Sequence, residues 1–320
     1  MPRSPAILVV RLGAMGDVIH TLPAVRALKL GYPDTPLTWV VEPKWAPLLE
    51  QNPFVDRVLL LRRDSLSGLV ASRRELRQSD YRFAVDFQGL LKSALVAVAA
   101  RPERIYGFDA GQVRERAAAL FYRHKIFSSS AHVVDRNLDL AAAAGARCDG
   151  PPVFPLPPGS PEGDLPAGEF VLASPLAGWA SKQWPLAHYR ALAARLAGEL
   201  GIPLVLNGPP GAAFGQIDPA IAHYSTLPGL IHATRRAAAV LGVDSGPLHL
   251  AAALSKHGVA VFGPTDPARN GPYGGSLQVL RTAAAVTTYK RGATIDDSMQ
   301  QIPPGEVFEA LRAVVGRRCR

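Results

Sequence analysis

Ala6-Ile7-Leu8-Val9-Val10 runs directly into Arg11-Leu12-Gly13-Ala14-Met15-Gly16-Asp17, and a helical stretch from Val18 to Leu30 follows. Five consecutive apolar residues leave no polar face. The segment therefore reads as a short strand covered on both sides, as in a parallel sheet. Gly13 and Gly16, between strand end and helix start, let the backbone turn sharply and approach a ligand. The same strand–loop–helix unit recurs. Leu37–Val41, Val58–Leu61 and Phe83–Phe87 predict further strands; Ser65–Gln78 and Leu90–Ala100 predict helices. Such alternation marks a doubly wound α/β sheet.

The alternation breaks once. Residues 151–161 hold six prolines in eleven positions. Proline fixes φ and lacks an N–H, so this stretch is neither helix nor central strand and reads as an interdomain linker. Beyond it the pattern restarts: strands at Phe170–Ala173, Leu204–Leu206, Ala239–Val243 and Val259–Phe262, helices at Pro185–Leu200 and Pro247–Leu254, and a last helix at Pro304–Val315. The expected architecture is two α/β halves with a cleft between them. Ligands of open parallel sheets lie beyond the carboxyl ends of the strands.

Composition narrows the function. A chain of 320 residues, 48% hydrophobic, suits two domains with their own cores. Cys148 and Cys319 are the only cysteines, and no Cys/His cluster exists, so neither a zinc site nor a disulfide scaffold is expected. No apolar run reaches the roughly 20 residues that span a bilayer, and no signal-peptide pattern opens the chain, so a soluble cytoplasmic protein is expected. The net charge of +9 suits a polyanionic partner, although an Arg-rich proteome would produce the same surplus. No RNP-like, zinc-knuckle or helix-turn-helix pattern supports specific nucleic-acid binding. A GxGxxG fingerprint is also absent, which speaks against a Rossmann dehydrogenase.

Several segments carry chemistry. Asp17 falls on the first helical turn, either as a cap or as a general base; from position alone the cap is the better reading. In Gly242-Val243-Asp244-Ser245-Gly246-Pro247-Leu248-His249, a strand delivers the chain into a Pro-started helix whose free N–H groups would suit a diphosphate. Phe262-Gly263-Pro264-Thr265-Asp266-Pro267 is a turn at a similar strand end. Lys182, before Trp184-Pro185, could neutralise a leaving group, or simply be solvated. Arg62, Arg63, Arg73, Arg74, Arg77, Arg114 and Arg116 would suit an acidic acceptor, with a solvated face as the default for each.

Taken in order, Arg11–Asp17 with His20-Thr21-Leu22-Pro23, Asp86-Phe87-Gln88-Gly89-Leu90-Leu91-Lys92-Ser93, Gly242–Gly246 with His249, and Phe262–Pro267 resemble the ADP-heptose:lipopolysaccharide heptosyltransferases of glycosyltransferase family 9, nearest to heptosyltransferase I. The resemblance implies a GT-B fold: an acceptor-binding Rossmann-like domain at 1–155, a donor-binding one at 156–303, and a helix at 304–320 returning to the first. It implies inverting transfer of L-glycero-D-manno-heptose from ADP-heptose to a Kdo sugar of Kdo2-lipid A, with no cofactor or bound metal, at the cytoplasmic face of the inner membrane. By the same resemblance, Asp17 is the base and Lys182 the donor-side cation. Asp244, Ser245, Gly246 and His249, with Gly178 and Thr265, hold the donor. Gly13, Arg62, Arg63, Lys92 and Arg114 meet the acceptor. Two departures stand out. Hydroxyl residues often precede the family's lysine by five and four positions, where this chain has Ala177 and Gly178. The loop at 207–214 lacks the acid that often meets the donor's ribose. Rival readings are a family 9 transferase with another acceptor and a nucleotide-sugar epimerase of the same fold.

Overall fold

The computed structural model describes residues 5–288, 290 and 292–316. Its chain forms two compact units, Met1–Pro157 and Pro158–Arg320. The proline-rich stretch at 151–161 carries no helix or strand, as its missing N–H groups require.

The first unit is a six-stranded parallel sheet: β1 (Ala6–Val10), β2 (Leu37–Val41), β3 (Arg57–Leu60), β4 (Tyr81–Asp86), β5 (Ile105–Phe108) and β6 (His124–Ile126), in the order β3-β2-β1-β4-β5-β6. Its helices are α1 (Met15–Gly31), α2 (Leu66–Leu76), α3 (Leu91–Ala99) and α4 (Val133–Ala143), with a 3-10 turn at Arg116–Phe121. Every residue of β1 and β2 is buried. Successive strand side chains point to opposite faces. Ala6, Leu8 and Val10 accordingly join Val40, Leu59 and Ala84 in one cluster with Leu76 of α2, Ala94 and Ala97 of α3, and Ala118 and Ala119 of the 3-10 turn. α1 and α4 pack on each other, with Asn137 Nδ2 donating to the His20 carbonyl at 3.1 Å.

The second unit repeats the plan. Its strands are β7 (Val171–Ser174), β8 (Leu204–Gly208), β9 (Ile221–Tyr224), β10 (Ala239–Val243), β11 (Gly258–Phe262) and β12 (Leu277–Arg281), in the order β12-β11-β10-β7-β8-β9. Its helices are α5 (Leu186–Arg195), α6 (Leu227–Arg236), α7 (Gly246–Ala253), α8 (Pro267–Asn270), α9 (Asp297–Gln300) and α10 (Pro304–Gly316). α5 and α10 cover one face: Tyr189, Leu192, Phe308, Leu311 and Val315 pack with Ala173, Leu206, Leu241 and Val261. Arg195 of α5 lies 3.9 Å over the Phe308 ring. The apolar face of the last helix packs against the second sheet; residues 317–320, Cys319 among them, lie outside the described residues.

Below the first unit's loops sits a buried carboxylate. Asp86, the last residue of β4, is fully buried and accepts from Ser93 Oγ and Tyr122 Oη at 2.7 Å each and from the Gln88 N–H at 2.9 Å. Burial pushes its carboxyl above the ordinary range, against the pull of those donors. Gly89, at φ 66°, makes the turn that follows. Tyr122→Phe should leave this carboxylate one donor short and destabilise the chain by about 1–3 kcal/mol, as read by urea unfolding; an unchanged midpoint would remove Asp86 as the anchor of the loop.

Candidate active site

In the first unit the carboxyl ends of β2, β1 and β4 stand side by side. Arg11 leaves the end of β1 with its guanidinium buried, donating to the Phe87 carbonyl just past β4. The same group pairs with Asp17 Oδ1 at 2.6 Å, and the Ala14 N–H donates to Asp17 Oδ2 at 3.2 Å. Ala14, not Asp17, is the N-cap of α1; Asp17 is its third residue and closes the first turn by accepting the cap residue's N–H. Its side chain is nonetheless 44% exposed, so it can also meet a substrate. Gln88 Oε1 accepts from the Leu12 N–H at 2.7 Å, tying this loop to the one after β4. At Gly13 a Cβ would come within 2.5 Å of Trp45 Nε1, so any side chain would displace the indole.

Glu42, just past β2, takes its N–H to the Leu12 carbonyl at 3.0 Å. Its largely buried carboxylate gathers Arg63 at 2.6 Å, Lys92 at 3.7 Å and Lys44 at 3.8 Å. Three cations share one anion, so the cluster carries a positive surplus beside Asp17's loop. It unites the expected Arg63 and Lys92. Arg62 and Arg114 are exposed and make no ion pair with Glu42. Arg73 and Arg74 belong to α2 and Arg77 caps its carboxyl end, so the sequence cluster is divided by the fold.

The second unit concentrates its chemistry at the ends of β7, β10 and β11, adjacent in that sheet. Lys182, in the turn after β7, puts Nζ 2.6 Å from Asp244 Oδ2 and 4.3 Å over the Trp179 ring. His249 Nε2 faces Asp244 Oδ1 at 3.6 Å. Burial alone would raise the Asp244 carboxyl, but His249 and Lys182 outweigh it and hold the group well below its usual range. Gly246 opens α7 behind Ser245, and Pro247 occupies the first turn. The Ser181 Oγ, Ser245 Oγ and Thr265 Oγ1 hydroxyls are buried with no hydrogen-bond partner among the described residues. Buried hydroxyls normally find partners. Three free ones at three adjacent strand ends, beside a lysine and a helix N-terminus, form a cradle suited to phosphate oxygens. Gly178 is exposed in the loop after β7, where a Cβ would meet only open space.

Sequence reasoning singled out neither Arg11, Glu42, Gln88 nor Ser181. Arg11 and Gln88 lie within the motifs that carry the resemblance and Ser181 directly precedes Lys182; Glu42's partners are distant in sequence. At the end of β8, where an acid was missed, Asn207 Nδ2 donates to Ser225 Oγ at 2.9 Å and lies 2.9 Å from His223 Nδ1, so this amide is spent internally. Among the described residues no group of three His, Cys, Asp or Glu is arranged to hold a metal ion.

Residues 69–296 match the model of glycosyltransferase family 9 (heptosyltransferase). Lipopolysaccharide heptosyltransferase 1 of Pseudomonas aeruginosa is 32% identical, the match covering 84% of this chain and 82% of that one. The structure of the E. coli heptosyltransferase WaaC with ADP superposes with a TM-score of 0.78 at 26% identity, over 97% of this chain and 99% of that one. The same enzyme with ADP-2-deoxy-2-fluoro heptose gives 0.75 at 26% identity, over 95% and 98%.

The ion pair in the second unit sets a pH-dependent expectation. Because the folded-state Asp244 value lies below the ordinary 3.8, the pair's stabilisation is complete above that value and is lost as pH falls below it. Lys182→Met should destabilise the chain by about 3 kcal/mol at neutral pH by stranding a buried carboxylate. The gap to the unsubstituted chain in urea unfolding should hold constant above the ordinary 3.8 and narrow as pH falls below it. A gap independent of pH would remove Asp244 as the partner.

Proposed function

The chain belongs to glycosyltransferase family 9, and from that premise we propose that it moves L-glycero-D-manno-heptose from ADP-heptose to a Kdo sugar of Kdo2-lipid A during lipopolysaccharide inner-core synthesis. The observation that carries the donor half is the cradle of Ser181, Ser245 and Thr265 hydroxyls beside Lys182 at the start of α7. It fits the ADP named in the structures of its relatives.

Each unit carries the groups for one substrate. On the second, the diphosphate takes the free hydroxyls and the Ser245–Gly246 helix start, where unpaired N–H groups and the helix dipole favour negative charge. Lys182, oriented by Asp244, adds a full positive charge. These groups are fixed before reaction, so they stabilise the charge that grows on departing ADP with little reorganisation. On the first unit, the cations around Glu42 suit an acidic acceptor: a Kdo carboxylate or a lipid A phosphate finds Arg63, Lys92 and Lys44 at one place.

Asp17 is the base in this reading. It takes the proton from the acceptor hydroxyl as that oxygen bonds to the anomeric carbon, while the bond from that carbon to the phosphate oxygen breaks and ADP leaves. Attack opposite the leaving group inverts the centre. Arg11 keeps the carboxylate at the mouth of the loop, and Asp17's exposed side admits the acceptor. The acceptor is a lipid, so the protein works peripherally at the inner face of the inner membrane; no described helix is long and apolar enough to cross a bilayer.

A coupled ADP-release assay tests the reading. ADP-heptose should be consumed in the presence of Kdo2-lipid A and only slowly without it. Release that requires an already heptosylated core would assign another acceptor. Asp17→Asn keeps the shape and should lower kcat by about 10²–10⁴ while leaving ADP affinity within twofold. Near-normal turnover by that variant would end the base assignment.

A further inference from the structure

On the first unit, three elements pack on the sheet with their small residues and turn large ones outward. α3 buries Ser93, Ala94 and Ala97, and leaves Leu91, Leu95 and Val98 between 38% and 49% exposed. Those three lie at i, i+4 and i+7, one stripe of the helix. α2 buries Gly68 and Ser72 ahead of Leu76, and exposes Leu66 and Val70 at 83% and 68%. In the 3-10 turn, Ala118 and Ala119 face inward and Leu120 is 79% exposed.

These surfaces are neighbours. α3 contacts both α2 and the 3-10 turn, and all three share one hydrophobic cluster beneath. Arg77 at the end of α2 donates to the Ala99 carbonyl at the end of α3. The exposed side of α2 continues from Leu66 and Val70 into Arg73 and Arg74; Arg73 and Arg101 lie close enough to Arg77 to lower its guanidinium's proton affinity after desolvation. Acids in the layer are occupied: Glu75 pairs with Arg57, and Glu115 accepts the Leu91 N–H. Soluble surfaces expose single apolar residues freely, but a contiguous set points to a contact. Apolar side chains rimmed by unpaired arginines match a surface that is apolar beneath and anionic above. The amino ends of α2 and α3 also lie at the sheet edge that carries Arg63 and Lys92.

We propose that the outer face of α2, α3 and the Arg116–Phe121 turn docks on an anionic lipid bilayer, with Leu66, Val70, Leu95 and Leu120 entering the interface and Arg73, Arg74 and Arg101 meeting lipid phosphates. The proposal rests on the reading of a membrane-borne acceptor and deepens it. It places the acceptor-side loops next to the membrane, so the acceptor's sugar headgroup can be reached while its acyl chains stay in the bilayer.

The test is sedimentation of the full chain with vesicles of phosphatidylethanolamine containing about 30% phosphatidylglycerol, against phosphatidylcholine alone, across a salt series. Binding should be confined to the anionic vesicles and weaken at least tenfold between about 50 and 500 mM salt. Val70→Ser/Leu95→Ser/Leu120→Ser should lose at least tenfold in binding with an unchanged melting temperature, and Arg73→Gln/Arg74→Gln should reduce the salt dependence. A matched change on the second unit, Val286→Ser, should have no effect. Transfer to a deacylated, water-soluble acceptor should be unaltered by the triple serine variant, while transfer to vesicle-borne acceptor falls in step with binding. Loss of transfer to the soluble acceptor in the unsubstituted chain would defeat the functional reading and leave the vesicle result standing. Vesicle binding by the triple variant equal to that of the parent would overturn the docking face, as would a dimer in solution that the same variant dissociates.

Discussion

A strand covered on both faces has no polar side chain to spare. β1, β2, β7, β8, β10 and β11 are buried at every residue, so the strands are given over to core, with few polar side chains such as Thr38 and Asn207 among them. Polar chemistry must begin where the strands stop. Arg11, Glu42 and Asp86 stand at or just past the ends of β1, β2 and β4; Asp244 and Thr265 follow β10 and β11. The parallel arrangement points these ends the same way within each sheet, which brings residues remote in sequence into one layer. The site's composition follows from the core's.

The two units answer the same electrostatic problem with opposite burial. Each places a carboxylate near a helix start and a cation within 2.6 Å of it. In the first, the cation is the buried member: Arg11 is 7% exposed and Asp17 44%. In the second, the carboxylate is buried: Asp244 is 7% exposed and Lys182 16%. A buried partner fixes the outer one's position, and the outer one is left to act. The difference suits the two otherwise similar pairs to their proposed roles, a carboxylate for proton transfer on one unit and an ammonium for phosphate on the other.

The fold was legible because its signal is local. Ala6–Val10 and Ala239–Val243 are continuous runs without a polar side chain, Leu37–Val41 is interrupted only by Thr38, each is closed by a charged residue, and all three strands occur where that pattern puts them. β5, β6, β9 and β12 escaped notice for the converse reason: the edge strands β6, β9 and β12 carry His, Lys or Gln, β5 is four residues long with Gly107 inside it, and such strands lose the continuous apolar signature. The site was legible only where a motif was contiguous. Asp244, Ser245 and His249 fall within six residues. Glu42 is 21 residues from Arg63 and 50 from Lys92 and is joined to them only by strand order, which no periodicity reveals. The Arg-rich run misled in the same way: Arg62 and Arg63 precede α2 while Arg73 and Arg74 ride on it and Arg77 caps it, so one cluster in sequence serves two places in space.

Packing alone does not account for that second place. A helix selected only to cover a sheet would gain most by turning Leu inward, since each fully buried large apolar side chain is worth roughly 1.5–3 kcal/mol. α5 and α10 do this, burying Leu192, Phe308 and Leu311. α3 does the reverse, seating Ala94 and Ala97 against the first sheet while Leu95 and Val98 face out. The small inner residues let α2, α3 and the 3-10 turn lie close to the strands, and the outer residues keep their apolar surface uncommitted within the chain. Two units of one architecture thus treat their helical layers differently. The one whose loops gather cations around Glu42 is also the one that holds apolar surface in reserve, and the proposed lipid-anchored acceptor would require both.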